Sequence, residues 1–249
     1  MNKYWTVGVL GVVIILGWLF WPVHAVPILA YHQVGEEDDI YSVTAGQFEE
    51  QMKYLQKNGY RAISLEDLFH FYEGTGTLPE KPVIITFDDG YSDNYLTALP
   101  IMEKYEMSAT VFVVPSLVGT LDYLSWDQVA QMQERHTEIG SHTMSHIGMN
   151  EISLKEQRWE AAESKAVLER QLGTPIRFFA YPYGQLSTDA QQILQEEGYR
   201  GACSGIPGLN DSKTNPYALK RINVPHPKYG LWEFRLRLFR AQLYSKLGL

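Results

Sequence analysis

The most chemically loaded groups in this sequence are two adjacent carboxylates and a spaced pair of imidazoles. Asp88 and Asp89 stand in Thr86-Phe87-Asp88-Asp89-Gly90, and the histidines in His142-Thr143-Met144-Ser145-His146. The carboxylates end an apolar, β-branched run, Val83-Ile84-Ile85-Thr86-Phe87, which predicts a buried strand turning at Gly90. Two neighbouring carboxylates at a strand's end cannot both face the core, and burying either without a partner is costly. His142 and His146 are four residues apart, which brings them to one face if the segment is helical. One carboxylate with two imidazoles suits a borderline divalent cation such as Zn²⁺ and leaves a position for water or substrate. That donor set outlines a hydrolytic site.

A third string, Arg177-Phe178-Phe179-Ala180-Tyr181-Pro182-Tyr183-Gly184, predicts another apolar strand, here running into a Pro-Tyr-Gly turn. The three strings, in this order and each beside a predicted strand, resemble the homology motifs of the polysaccharide deacetylases. These are the NodB-like enzymes of carbohydrate esterase family 4, and the resemblance spans roughly residues 26–224.

The resemblance implies a metal-dependent hydrolase that removes N-acetyl groups from N-acetylglucosamine units. Asp89, His142 and His146 would hold the ion, Zn²⁺ first, with Ni²⁺ or Co²⁺ as alternatives. Asp88 would be the base that takes a proton from water. Arg177 occupies the position that in relatives pairs with this base, and an arginine there would keep the aspartate ionised. The backbone N–H of Tyr183 matches the family's oxyanion donor, in a turn stiffened by Pro182. No Leu-x-His motif follows Tyr183 to supply the usual acid. Some members, notably deacetylases of exported poly-N-acetylglucosamine, carry that histidine on the first strand, and His32 after Ile28-Leu29-Ala30-Tyr31 fits this pattern. A histidine suits the task because its pKa lies near working pH. His226, in Pro225-His226-Pro227, is the rival. Trp126 and Asp127 are read as groove or core residues and Tyr91 and Tyr181 as pocket-shaping ones.

The elements that must position these groups alternate. Short apolar runs at 26–31, 60–63, 83–87, 109–114, 178–181 and from 199 predict strands. Helical patterns lie around 48–55, 65–71, 96–105, 126–132, 152–172 (closed by Gly173) and 188–196. Repeated β-α alternation predicts an α/β fold with a parallel sheet covered by helices, open or closed. The resemblance implies a distorted (β/α) barrel of about seven parallel strands with its groove at one end. Asp88, Asp89 and Tyr183 all follow strands, where barrel enzymes keep their chemistry.

At 249 residues the chain suits one sizeable core. Its single cysteine, Cys203, excludes an internal disulfide framework and reads as a small buried residue. Residues 4–23 are apolar and uncharged, a bilayer-spanning length, so 1–25 reads as a membrane anchor. Val23-His24-Ala25 keeps a cleaved signal peptide as the alternative. Either places the rest of the chain outside the cytoplasm, anchored at the cell surface or secreted.

Net charge is −8, and Lys3 is the only charge in 1–25, so the remainder carries −9. Residues 231–249 hold Arg235, Arg237, Arg240 and Lys246 against Glu233, a net +3, which leaves −12 for 26–230. That acidic domain argues against nucleic acid as a partner and tolerates a neutral glycan that becomes cationic as amines are exposed. In 231–249, Trp232, Leu236, Phe239, Leu243 and Leu247 fall at helical spacing with the basic residues largely elsewhere around the wheel. This segment reads as a basic amphipathic helix, packed on the barrel or lying on a membrane. Poly-N-acetylglucosamine is the expected substrate and polysaccharide export machinery an expected neighbour. Peptidoglycan, O-acetylated xylan, a lipid-linked sugar deformylase and an inactive glycan-binding scaffold are the competing readings.

Overall fold

The computed structural model describes residues 25–35 and 39–247. The apolar stretch 4–23, and with it the anchor or signal segment, lies outside them, as do the last two residues of the 231–249 segment. Among the described residues ten strands follow one another: β1 (Ile28–Tyr31), β2 (Gln33–Val34), β3 (Ser42–Val43), β4 (Arg61–Ala62), β5 (Pro82–Phe87), β6 (Thr110–Val113), β7 (Glu138–Ser141), β8 (Phe178–Ala180), β9 (Gly201–Pro207) and β10 (Leu219–Asn223). Seven of them close a parallel barrel in the order β1, β10, β9, β8, β7, β6, β5, with β5 pairing back onto β1. The expected distorted barrel of about seven parallel strands is therefore the fold. Short β4 adds to the outside of β5, and β2 pairs with β3.

The helices are α1 (Ala45–Lys57), α2 (Leu65–Tyr72), α3 (Leu99–Lys104), α4 (Trp126–Glu134), α5 (Leu154–Leu172), α6 (Thr188–Glu196) and α7 (Leu231–Leu247). Reciprocal capping boxes start four of them: Thr44 with Gln47, Ser64 with Asp67, Ser125 with Gln128, and Ser153 with Glu156. Gly173 ends α5 in the left-handed region, as its position predicts. The helix expected at 96–105 opens instead as a π-helical turn, Asn94–Ala98, before α3.

Strand pleating sorts side chains into two layers. Ile28, Ile84, Phe112, Phe178, Cys203 and Leu219 fill the barrel's interior. Leu29, Tyr31, Ile85, Phe87, Val111 and Phe179 face the surrounding helices. Gly140 on β7 makes the inner layer possible, since a Cβ there would lie 2.5 Å from the Phe112 ring. Among the described residues no helix is long and apolar enough to cross a membrane.

Candidate active site

The same pleating builds the site as the top layer of the barrel's interior. Counting by twos from inward-facing Ile28, Ile84, Gly140 and Leu219 arrives at His32, Asp88, His142 and Arg221. These residues line one cavity of about 290 Å³ with Asp89, His146, Tyr183, Asp39, Tyr41 and Tyr91.

Asp89 sits just past β5 at a φ of 73°, a left-handed conformation that few side-chain-bearing residues adopt. It turns one carboxylate oxygen towards both histidines. Oδ1 lies 3.4 Å from His142 Nε2 and 3.0 Å from His146 Nε2, and it is buried without a hydrogen-bond partner. The ligand atoms of Asp89, His142 and His146 all fall within 4.8 Å of one another. An orphaned carboxylate oxygen converging with two imidazole nitrogens is the donor set a divalent cation requires, so the residues present fit such an ion.

His142 Nδ1 is 2.8 Å from the Ala180 carbonyl on β8. A carbonyl only accepts, so the proton belongs on Nδ1 and the Nε2 lone pair points into the site, the usual arrangement behind a metal-bound imidazole. Burial works against charge on the His142 ring, but the carboxylates of Asp89 and Asp88 outweigh it and raise its pKa. Burial also opposes ionisation of Asp89, and the two imidazoles more than offset it, holding its carboxyl far below the ordinary range. The cluster thus attracts positive charge, for which a proton and a metal ion compete.

The histidine pair is not helical. It occupies a turn after β7, with Thr143 and His146 at positive φ. Buried Glu160 on α5 holds that turn, accepting from Met144 N at 2.7 Å, Ser145 N at 3.0 Å and Ser145 Oγ at 2.5 Å. Sequence reasoning missed Glu160, whose only signal is an acidic residue on a helix face that is otherwise turned to the core.

Asp88 is buried and ion-paired, but not to Arg177. Arg221 on β10 makes a two-pronged contact, Nη1–Oδ1 at 2.7 Å and Nη2–Oδ2 at 2.8 Å, and its Nε donates to the Ser204 carbonyl. Burial would raise the Asp88 pKa, and the guanidinium overrides it, holding the carboxyl below its usual range. Arg177, expected in this role, lies at the start of β8 with its side chain 46% exposed, 3.6 Å from Glu66. Arg177 precedes its strand and so falls at the barrel's opposite end, whereas Arg221 points inward one pleat below the rim. Leu219-Lys220-Arg221-Ile222-Asn223 carried the signal as a strand with an arginine among buried positions.

His32 follows β1, with Nε2 3.9 Å from Asp88 Oδ2 and its ring 5.0 Å from that of Tyr41. Asn94 donates to the His32 carbonyl, which fixes its backbone. Burial lowers the His32 pKa, with the Asp88 and Asp89 carboxylates pulling the other way. His226 is not among the cavity's lining residues; its Nδ1 lies against the Ser42 carbonyl. Tyr183 is at φ 57° in the turn after β8, its ring exposed and 5.0 Å from the His146 ring. Next to it, Gly184 at φ 68° packs directly on Gly205, where a Cβ would come within 2.4 Å of the Gly205 Cα. Tyr91 lines the cavity, whereas Tyr181 is buried and Trp126 packs on the outer core.

A buried, ionised carboxylate beside a three-donor cation site at the open end of a parallel barrel defines a class: hydrolases of the barrel type that activate water. The chain belongs to the polysaccharide deacetylase family, whose model matches residues 75–202. It is 31% identical over 198 residues to the putative polysaccharide deacetylase YxkH of Bacillus subtilis, covering 80% of this chain and 71% of that protein. It is 26% identical to the poly-beta-1,6-N-acetyl-D-glucosamine N-deacetylase of Staphylococcus aureus, covering 74% and 68%. Among solved structures, the Streptococcus pyogenes deacetylase PplD, in complex with acetate, superposes with a TM-score of 0.79 at 25% identity, covering 89% of this chain and 99% of that one. IcaB from Ammonifex degensii gives 0.75 at 25% identity, covering 88% and 97%. This chain is accordingly a polysaccharide deacetylase, with Asp89, His142 and His146 suited to a divalent metal.

Proposed function

We propose that the chain removes N-acetyl groups from poly-β-1,6-N-acetylglucosamine outside the cytoplasm, tethered by residues 1–25. The observation that carries this reading is the pairing across one cavity of an arginine-held carboxylate, Asp88, with a first-strand histidine, His32. The likeness to the S. aureus enzyme supports the polymer. The acidic domain suits a glycan that gains amines as it reacts.

Each Asp88 oxygen accepts one Arg221 N–H and keeps a further lone pair, and the carboxylate takes the proton from attacking water there. A divalent cation on Asp89, His142 and His146, Zn²⁺ first, would polarise the amide carbonyl and acidify the water. The Tyr183 backbone N–H donates to the developing oxyanion. His32 Nε2, 3.9 Å from Asp88 Oδ2, protonates the leaving amine when its ring carries a proton, which burial disfavours and the Asp88 and Asp89 carboxylates favour. Arg221 keeps Asp88 charged and oriented.

Acetate release from β-1,6-linked N-acetylglucosamine oligomers by the full chain in detergent, with added Zn²⁺ and with chelator, tests the reading. Metal-dependent release, lost in Asp88→Asn and His32→Ala, supports it. Release from peptidoglycan fragments alone transfers the activity to that polymer, and undiminished release by His32→Ala removes the acid assignment.

A further inference from the structure

Helix α7 has two apolar faces, and among the described residues only one is covered. Phe234, Leu238 and Ala241 are buried against the domain, next to Tyr54 of α1. At about 100° per residue, Trp232, Leu236, Phe239, Leu243 and Leu247 fall within roughly 80° of arc on the opposite side. Trp232 is 62% exposed, Leu247 52% and Phe239 37%. This outer stripe runs about 22 Å along the helix at 1.5 Å per residue. Arg235 and Lys246 border it on one side and Arg240 on the other, while Arg237 is turned to an ion pair with Glu233.

We propose that the outer face of α7 docks on an anionic lipid surface, with the stripe entering the acyl boundary and the bordering cations meeting phosphate headgroups. A helix lying in a bilayer interface has this layout, an apolar strip flanked by arginine and lysine with aromatic rings at headgroup depth. Charge separates this occupant from the alternatives. The helical segment carries +3 on a domain of −12, so an anionic surface attracts this face and repels the remainder, which fixes orientation as well as affinity. A second copy of the chain packed through the same stripe would set Arg235, Arg240 and Lys246 against their own counterparts.

The test uses the full chain in vesicles of phosphatidylcholine with and without phosphatidylglycerol. Cys203 is the sole native thiol and is buried, so Leu243→Cys presents one reactive site on the stripe for an environment-sensitive dye. A blue shift and quenching by spin-labelled lipid in anionic vesicles, weakened by high salt, are expected. Both should be lost in the Arg235→Glu, Arg240→Glu, Lys246→Glu triple variant at an unchanged melting midpoint. Should that variant misfold, the neutral-lipid and high-salt arms decide. A dye that stays water-exposed on anionic vesicles overturns the proposal. So does one shielded equally in detergent and neutral vesicles, since protein would then cover the face.

Discussion

At the scale of single residues, two arginines separate position in the sequence from position in the fold. Arg221 is the counter-charge to a buried carboxylate, and Arg177 a half-exposed partner of Glu66. Arg221→Ala leaves Asp88 charged and unpaired in the interior, which costs about 3–5 kcal/mol of stability. It also lets the carboxyl pKa rise, so deacetylation should collapse at neutral pH. Arg221→Lys keeps the charge but loses the fork, so it should fold better than the alanine variant and still lose most activity. Arg177→Ala should stay within about 1 kcal/mol of the parent and retain its activity. Acetate-release rates and denaturant melts on the three variants check this, and an active Arg221→Ala with a dead Arg177→Ala would reverse the assignment.

At the scale of elements, the turn bearing His142 and His146 is only as precise as its support from α5. Glu160→Ala leaves two backbone N–H groups of that turn without their acceptor, and a 10–100-fold weaker metal affinity is expected by calorimetry, in line with roughly that loss for outer-sphere partners. An unchanged affinity would show that the turn holds itself. Glu138, at the start of β7, is half-buried at the barrel's other end, and desolvation of its carboxyl pushes its pKa up to about 7, although Thr110 and the Leu65 and Glu66 N–H groups oppose the shift. Its folded pKa is above the ordinary 4.5, so the folded state binds the extra proton. The stability this contributes is complete below about 4.5 and lost as pH rises towards 7, up to roughly 3 kcal/mol. Glu138→Gln should flatten that slope in pH-dependent melts of metal-free protein, and an unaltered slope would assign it elsewhere. Both β7 and β10 escaped sequence reading for one reason. Glu138-Ile139-Gly140-Ser141 and Leu219-Lys220-Arg221-Ile222-Asn223 carry charge and glycine where a buried strand normally shows aliphatics, because their inward positions serve the site and the packing of Phe112. The strands and helices that do only structural work, such as β6 and α6, were legible from their apolar pattern. The ligands themselves were legible as types. Their turn geometry was not, since spacing alone cannot distinguish a helical i, i+4 pair from a turn with two left-handed residues.

At the scale of the whole molecule, barrel closure is what makes the metal site. Asp89 leaves the end of β5 and the histidines follow β7, two strands that touch β6 but not each other. The unfolded chain has no such cluster, so a divalent ion binds the folded state almost exclusively and stabilises it by mass action. At about a hundred times its dissociation constant the ion adds roughly 2.7 kcal/mol. For a domain of this size each kcal/mol raises the melting midpoint by about 2–4 °C, so Zn²⁺ should raise it by about 5–10 °C and chelator should reverse the gain. His146 is the ligand best suited to removal, because its side chain is partly exposed, whereas His142 and Asp89 are nearly buried. His146→Ala should therefore melt near the metal-free parent and lose the Zn²⁺-induced shift. Asp88→Asn, which alters the neighbour rather than a ligand, should keep it. The same shift in His146→Ala as in the parent would mean that the ion stabilises the protein from another place, and the cluster at the barrel's mouth would lose its claim to the metal.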